Sequence, residues 1–266
     1  MREAETNIPA KRAWSASAMF LLHATAHNRR LTMHRSPSSV TALSFAALLA
    51  IASTADAIPI GPDTFADGTT MGWGVPGASP VPPSNVATGG PAGGGDAFLQ
   101  LQASAGLGDA GSRLSVLNQA QWTGDFRAAG ITAISMDVNN FGPDELVLRL
   151  LFEDFDGPGP PANLAMTLAN VVVPAGSGWM NVVFDLAPAN LVAGVLGTVE
   201  GALTDVDVMR IFHNPAAAFP GPGVGIPQVT TTLGVDNITA VVPEPATGVL
   251  LLGGLAAALM RRRARA

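Results

Sequence analysis

Ala97-Phe98-Leu99-Gln100-Leu101-Gln102-Ala103 sets leucine against glutamine in alternation. Successive side chains of a strand point to opposite faces, so Leu99 and Leu101 share one face and Gln100 and Gln102 the other. Such a stretch predicts a strand with one buried side. Outward from it, further runs of strand character lie at Arg113–Leu117, Ile131–Val138, Leu146–Phe152, Leu164–Val173, Trp179–Leu186, Val206–Phe212 and Leu233–Val241. In Ile131–Val138 the residues Ile131, Ala133 and Ser135 alternate with Thr132, Ile134 and Met136. Gly, Pro, Asn and Asp gather between the runs, at Val75–Gly95, Asn139–Asp144, Asp156–Asn163, Pro174–Gly178 and Asn214–Pro227. Ala189–Leu203 fits a short helix or a loop. Short strands at this spacing, separated by turn residues, predict an all-β fold, an antiparallel β-sandwich. No long amphipathic helix breaks the series, which argues against an α/β fold.

Charge is distributed unevenly. Between Ile58 and Val242 the basic residues are Arg113, Arg127, Arg149 and Arg210, with no Lys, against 13 Asp and three Glu, a formal −12. An acidic domain disfavours nucleic acid and anionic lipid as partners and favours cations, although acidity also serves plain solubility. The chain has no Cys. That excludes disulfides, thiolate metal sites and thiol catalysis.

The two ends read as addresses. Met33-His34-Arg35 opens a basic segment, Ala42–Ala52 is an apolar run of 11 residues, and Ala55-Asp56-Ala57 is a small-x-small site. This is the three-part layout of a secretory signal peptide, here residues 33–57, with cleavage expected after Ala57. The run is too short to span a bilayer, which takes about 20 residues. Residues 1–32 add nothing to a complete signal, and a misassigned start upstream of Met33 is expected. At the other end, Val242-Pro243-Glu244-Pro245 precedes an apolar run from Thr247 to Met260 and then Arg261-Arg262-Arg263-Ala264-Arg265. Prolines break the preceding strand, the apolar run forms a short transmembrane helix, and the arginines stay on the cytoplasmic side.

Those three parts in that order, with Gly253-Gly254 inside the apolar run, resemble the PEP-CTERM sorting signal, over residues 243–266. The resemblance implies a Gram-negative bacterium that makes extracellular polysaccharide. It also implies export through the inner membrane, with transient residence there, and a final place at the cell surface or in the extracellular matrix. Exosortase is the implied partner, recognising Pro243, Glu244 and Pro245, with Arg261, Arg262 and Arg263 as the sorting tail.

The remaining residues, 58–242, form the predicted sandwich domain. Asp63-Thr64-Phe65-Ala66-Asp67-Gly68 followed by Gly72-Trp73, then Gly95–Leu101, then Val235-Asp236-Asn237-Ile238 resemble the first, second and closing strands of galactose-binding-like jelly rolls, the fold of many carbohydrate-binding modules. The resemblance implies a jelly roll with its first and last strands adjacent. It further implies a structural calcium between them, for which Asp63, Asp67, Asp96 and Asp236 are the candidate ligands. Calcium takes six to eight oxygens from carboxylates and carbonyls. The other reading of these aspartates is that they cap turns or face solvent. Where such modules often carry Glu in the first strand, this chain has Ala66-Asp67.

Sugar rings stack on flat aromatic side chains. Trp122, with Gln121, Thr123, Asp125 and Arg127 close by in sequence, is the first candidate platform and Trp73 the second. Each indole has packing as its alternative, and Trp179, heading an alternating strand, reads as core. Glu153-Asp154-Phe155-Asp156 reads as a strand end leading into a loop, with no partner placed for a glycosidase pair. His213 has no Gly-x-Ser-x-Gly elbow to serve and no second His or Cys for a metal. Two non-catalytic functions follow, a surface protein that binds extracellular polysaccharide or a purely structural one. A secreted hydrolase is the third reading, and it lacks a nucleophile, a base or a metal constellation.

Overall fold

In the computed structural model the described residues are 61–243, apart from 76, 108, 196 and 219–226. The upstream segment 1–32, the signal peptide 33–57 and its cleavage site lie outside them. So do Glu244, Pro245, the apolar tail and Arg261–Arg263; Pro243 is the last described position.

The chain runs β1 (Trp73–Gly74), β2 (Ser84–Val86), β3 (Phe98–Ala103), α1 (Asp109–Ser112), β4 (Ser115–Asn118), β5 (Ala133–Asn140), β6 (Leu146–Asp154), β7 (Asn163–Thr167), β8 (Val171–Val173), β9 (Met180–Asp185), β10 (Leu191–Ala193), α2 (Val199–Thr204), β11 (Val208–His213) and β12 (Thr231–Val241). All pairings are antiparallel. One sheet has the order β2-β3-β12-β5-β9, and the other β1-β4-β11-β6-β7-β10, with β8 pairing β6. The eight strands β3, β4, β5, β6, β7, β9, β11 and β12, taken in chain order, therefore alternate between sheets as first-eighth-third-sixth and second-seventh-fourth-fifth. That is the connectivity of a jelly roll. The fold is an antiparallel β-sandwich.

The alternation that predicted the strands also assigns their faces. Leu99 and Leu101 of β3, Ile134, Met136 and Val138 of β5, Val182 and Phe184 of β9, and Leu233 and Val235 of β12 point inward. They share one buried cluster with Leu146, Leu148, Leu150 and Phe152 of β6 and Met209 and Ile211 of β11. Each large apolar side chain buried this way contributes about 1.5–3 kcal/mol. Their neighbours Gln100, Gln102, Ser135, Asp137, Asn181 and Val183 consequently turn to the outer face of the five-stranded sheet.

Three expectations shift. Leu164–Val173 is two strands, because Arg149 reaches into the break. Its guanidinium donates to the carbonyls of Thr167 and Leu168 at 2.9 Å each and to the side-chain oxygen of Asn170. Ala189–Leu203 begins with a short 3-10 turn (Pro188–Asn190) and the edge strand β10, and only its end is helix. There Thr198 caps α2 by accepting the Gly201 N–H at 2.9 Å, closing an otherwise unsatisfied N-terminus. The predicted loop Val75–Gly95 contains the short strand β2. The first segment does meet the last strand, since Asp63 N–H donates to the Ile238 carbonyl at 2.9 Å.

Candidate functional site

Three of the sugar-platform candidates converge on Asp63, but in the interior. Trp122 is 1% exposed and Trp73 2%, and both indole N–H groups donate to Asp63 Oδ2, at 2.8 and 2.9 Å. Gln121 Nε2 donates to the same oxygen at 3.1 Å. Burial pushes the Asp63 carboxyl up, while the hydrogen bonds from Trp122, Trp73 and Gln121 pull it down. The sugar-platform assignment of Trp122, Gln121 and Trp73 is thereby corrected: a buried indole held by its N–H presents no ring face to a ligand. Arg127 points elsewhere, donating to Glu200 Oε2 at 3.2 Å and to the Leu186 carbonyl at 3.1 Å.

The four candidate calcium ligands do not converge. Asp63 is the acceptor just described. Asp67 is exposed and closes its own turn, accepting from Thr69 N–H and Oγ1 at 2.9 Å. Asp96 accepts the Ala92 N–H at 2.7 Å. Asp236 is buried, accepts the Asn237 N–H at 2.8 Å through Oδ1, and has no partner at Oδ2. Among the described residues no three His, Cys, Asp or Glu side chains are placed to hold a metal together. The donor set therefore does not fit the calcium clip that the resemblance implied.

His213 is buried, and its Nδ1 accepts the Val147 N–H at 2.9 Å, so the ring sits as a neutral imidazole with its pKa lowered chiefly by burial. Glu153 forms a near-buried ion pair with Arg210 at 2.7 Å, and Asp154 accepts from Asn163 at 2.7 Å. These groups hold strand ends together.

Exposed chemistry collects on the outer face of the five-stranded sheet. Phe98 (β3), Phe141, just past β5, and Trp179, just before β9, stand over Gly234 of β12. Trp179 meets Phe98 edge-on at 5.3 Å and 77°, and Phe141 at 6.1 Å and 86°. Its N–H donates to the Gly89 carbonyl at 2.9 Å, which fixes the ring. A Cβ at position 234 would lie 2.8 Å from Trp179 Cη2, 3.0 Å from Phe141 Cε2 and 3.2 Å from Phe98 Cδ2, so glycine is what admits the cluster. Phe98 is buried, Trp179 half-buried, and Phe141 is 49% exposed.

Beside the rings runs a polar ladder across three strands. Asp137 of β5 accepts from Asn181 Nδ2 of β9 at 3.0 Å through Oδ1, and from Asn237 Nδ2 of β12 at 2.9 Å through Oδ2. Asn237 takes this position with φ of 52° in a bulge that shifts the register between Asp236 and Thr239. Asparagine tolerates that left-handed conformation better than most residues. Gln100, Gln102, Ser135, Thr232 and Thr239 complete the face, all at least partly exposed. An apolar ring surface with convergent amide and hydroxyl groups is the composition of a site for a small polar ligand with apolar faces.

Sequence reasoning placed Trp179 in the core and passed over Phe141. A signal was present: Gly234 interrupts an otherwise well-filled strand, and a glycine there marks close approach of another group.

No protein family and no curated protein matches this chain in sequence. Among solved structures, it is similar to an exo-β-agarase, at 12% identity, over 70% of this chain and 26% of that one, with a TM-score of 0.48. It thus spans about a quarter of the agarase chain. It is also similar to the family 11 carbohydrate-binding module of Clostridium thermocellum, solved in complex with a β-1,3-1,4-mixed-linked tetrasaccharide. There the identity is 13%, over 69% of this chain and 96% of that one, with a TM-score of 0.43.

Proposed function

We propose that this is an exported, non-catalytic surface or extracellular-matrix protein whose five-stranded sheet binds extracellular polysaccharide on its outer face. The observation that carries the reading is the half-exposed Phe141, locked with Trp179 over Gly234 beside the Asn181–Asp137–Asn237 ladder. An aromatic side chain with fixed geometry loses little entropy on contact, and amides next to it orient hydroxyl groups. A non-catalytic role is supported by the engagement of Glu153, Asp154 and His213 in internal bonds.

Export and sorting rest on the sequence. The signal peptide directs the chain through the inner membrane of a Gram-negative bacterium, and the Pro243-Glu244-Pro245 signal with its Arg261–Arg263 tail delivers it to exosortase.

The test is a glycan array probed with purified full-length protein, wild type beside Phe141→Ala and Trp179→Ala. Binding by the wild type that both variants reduce at least tenfold, with unchanged circular dichroism, is the expected result. No binding by folded wild type would leave the purely structural reading standing.

A further inference from the structure

The geometry points to a neutral polysaccharide as the ligand of this face, with acidic polymers excluded by its charge. The inference rests on the polysaccharide reading and adds the class of polymer.

Strands β2, β3, β5, β9 and β12 contain no Lys, Arg or His, yet they carry Asp137, Asp185 and Asp236. All three belong to the outer face: Asp137 is paired in register with Asp236 and Asn181, and Asp185 with Ala133, on the side opposite the core residues Ile134, Val182 and Phe184. Asp96, in the loop entering β3, acts electrostatically on Asp236 from the same side. The described basic side chains do not belong to these strands. Arg149 lies in β6, and Arg210 and His213 in β11, all in the other sheet. Arg113 lies in the loop before β4, and Arg127, in the loop before β5, is tied to Glu200 and, at the end of β9, to the Leu186 carbonyl.

Asp137 is held by two amides and by no cation, so its charge is ordered and uncompensated. A uronate or sulfate brought to this surface finds no guanidinium or ammonium to replace its water and meets carboxylates of its own sign. Like-charge juxtaposition of this kind is what suppresses wrong partners at protein surfaces. A neutral sugar chain meets no such penalty. Its apolar ring faces match Phe141, and its hydroxyls match the carbonyl oxygens of Asn181 and Asn237, whose N–H groups are already directed to Asp137.

Native gels of the full-length protein in mild detergent, cast with mixed-linked β-glucan, agarose, alginate or chitosan, test this directly. Retardation by at least one neutral polymer, and affinity for alginate at least tenfold weaker, is expected. Gln102→Lys, at an exposed position of the same face, should gain alginate retardation at low salt. Alginate binding equal to neutral binding, lost in Phe141→Ala, would overturn the inference and leave the site in place. Retardation by chitosan alone, abolished by salt and insensitive to Phe141→Ala, would overturn it by showing a contact through charge only. Retardation by none of the four would overturn the polysaccharide reading and this inference with it.

Discussion

Trp73 and Trp122 aim their indole N–H groups at one oxygen, Asp63 Oδ2, from 2.9 and 2.8 Å. Asp63 also pairs through its backbone with Ile238 of the closing strand. One residue, through its carboxylate and its backbone, therefore joins the first described segment, the loop before β5 and the last strand, in a domain without disulfides.

Removing that carboxylate leaves two buried indole donors unpaired and takes one of two acceptors from the Gln121 amide, which keeps the Met71 carbonyl. Asp63→Ala should cost about 2–4 kcal/mol, since each buried unsatisfied donor costs roughly 1–3 kcal/mol. For a domain of this size that lowers the melting temperature by roughly 2–4 °C per kcal/mol. Asp63→Asn, which keeps an acceptor oxygen, should recover part of the loss. A melt within 1 °C of wild type (well under about 1 kcal/mol) for Asp63→Ala would refute the hub.

Asp236 is buried opposite Asp137 in the sheet, with Oδ2 unpartnered. Burial first, then Asp96 and Asp137, push its carboxyl up to about 6, against the one hydrogen bond from Asn237 that lowers it. The unfolded value is about 3.9. A folded pKa above the unfolded one means that the native state holds the extra proton. This stability is therefore fully present below about pH 4 and lost as pH rises through about 6. The whole effect is at most about 3 kcal/mol, because one pKa unit is worth about 1.4 kcal/mol. Asp236→Asn should be more stable than wild type at pH 7.5 by about 1–2 kcal/mol, with the difference closing below about pH 4. Denaturant titrations at the two pH values that show no change in the gap would count against it.

Arg149 lies buried in β6 and donates to five acceptors at 3.0 Å or less, among them the carbonyls of Asn214 and Pro215 as well as those in the β7–β8 break. Arg149→Met should destabilise by about 3 kcal/mol by orphaning those carbonyls. Arg149→Lys should rescue little, because an ammonium cannot reproduce the planar fork. Equal stability of the Lys variant and wild type in urea would show that charge alone suffices.

Gly234→Ala places a methyl 2.8 Å from the Trp179 ring, closer than real contacts allow, and a tight 3.0 Å from the Phe141 ring. The rings must lift, so ligand affinity should fall at least tenfold while the melting temperature changes by only a few degrees. Isothermal titration with whichever glycan the array identifies measures the first, and a thermal scan the second. Unaltered affinity would separate the aromatic cluster from binding.

β12 pairs with β3 on one side and β5 on the other, so the last strand is central to its sheet. Ending the chain at Thr230 should abolish folding, whereas ending it after Pro243 should not. The mature protein in its host is expected to begin at Ile58 and to lack Arg261–Arg265. Intact-mass measurement decides this, and a mature form that retains those arginines would rule out the processing step.

Sequence alone was enough for the sandwich, because inward positions must be apolar and period two leaves few alternatives for stretches such as Leu99–Gln102. The export and sorting readings rest on linear order alone, and apart from Pro243 their segments lie outside the described residues. Only the tertiary structure decided which tryptophan faces water. Trp122 and Trp73 differ little from Trp179 as residues in a sequence, and what separates them is Asp63, brought to the first two by a long-range pairing with Ile238. The candidate face likewise joins Phe98, Phe141, Trp179 and Gly234 from four separate segments, through the register of β3, β12, β5 and β9. Alternation states that a residue lies on a face, but which residues share that face is set by strand order, and strand order comes from the whole chain closing on its core.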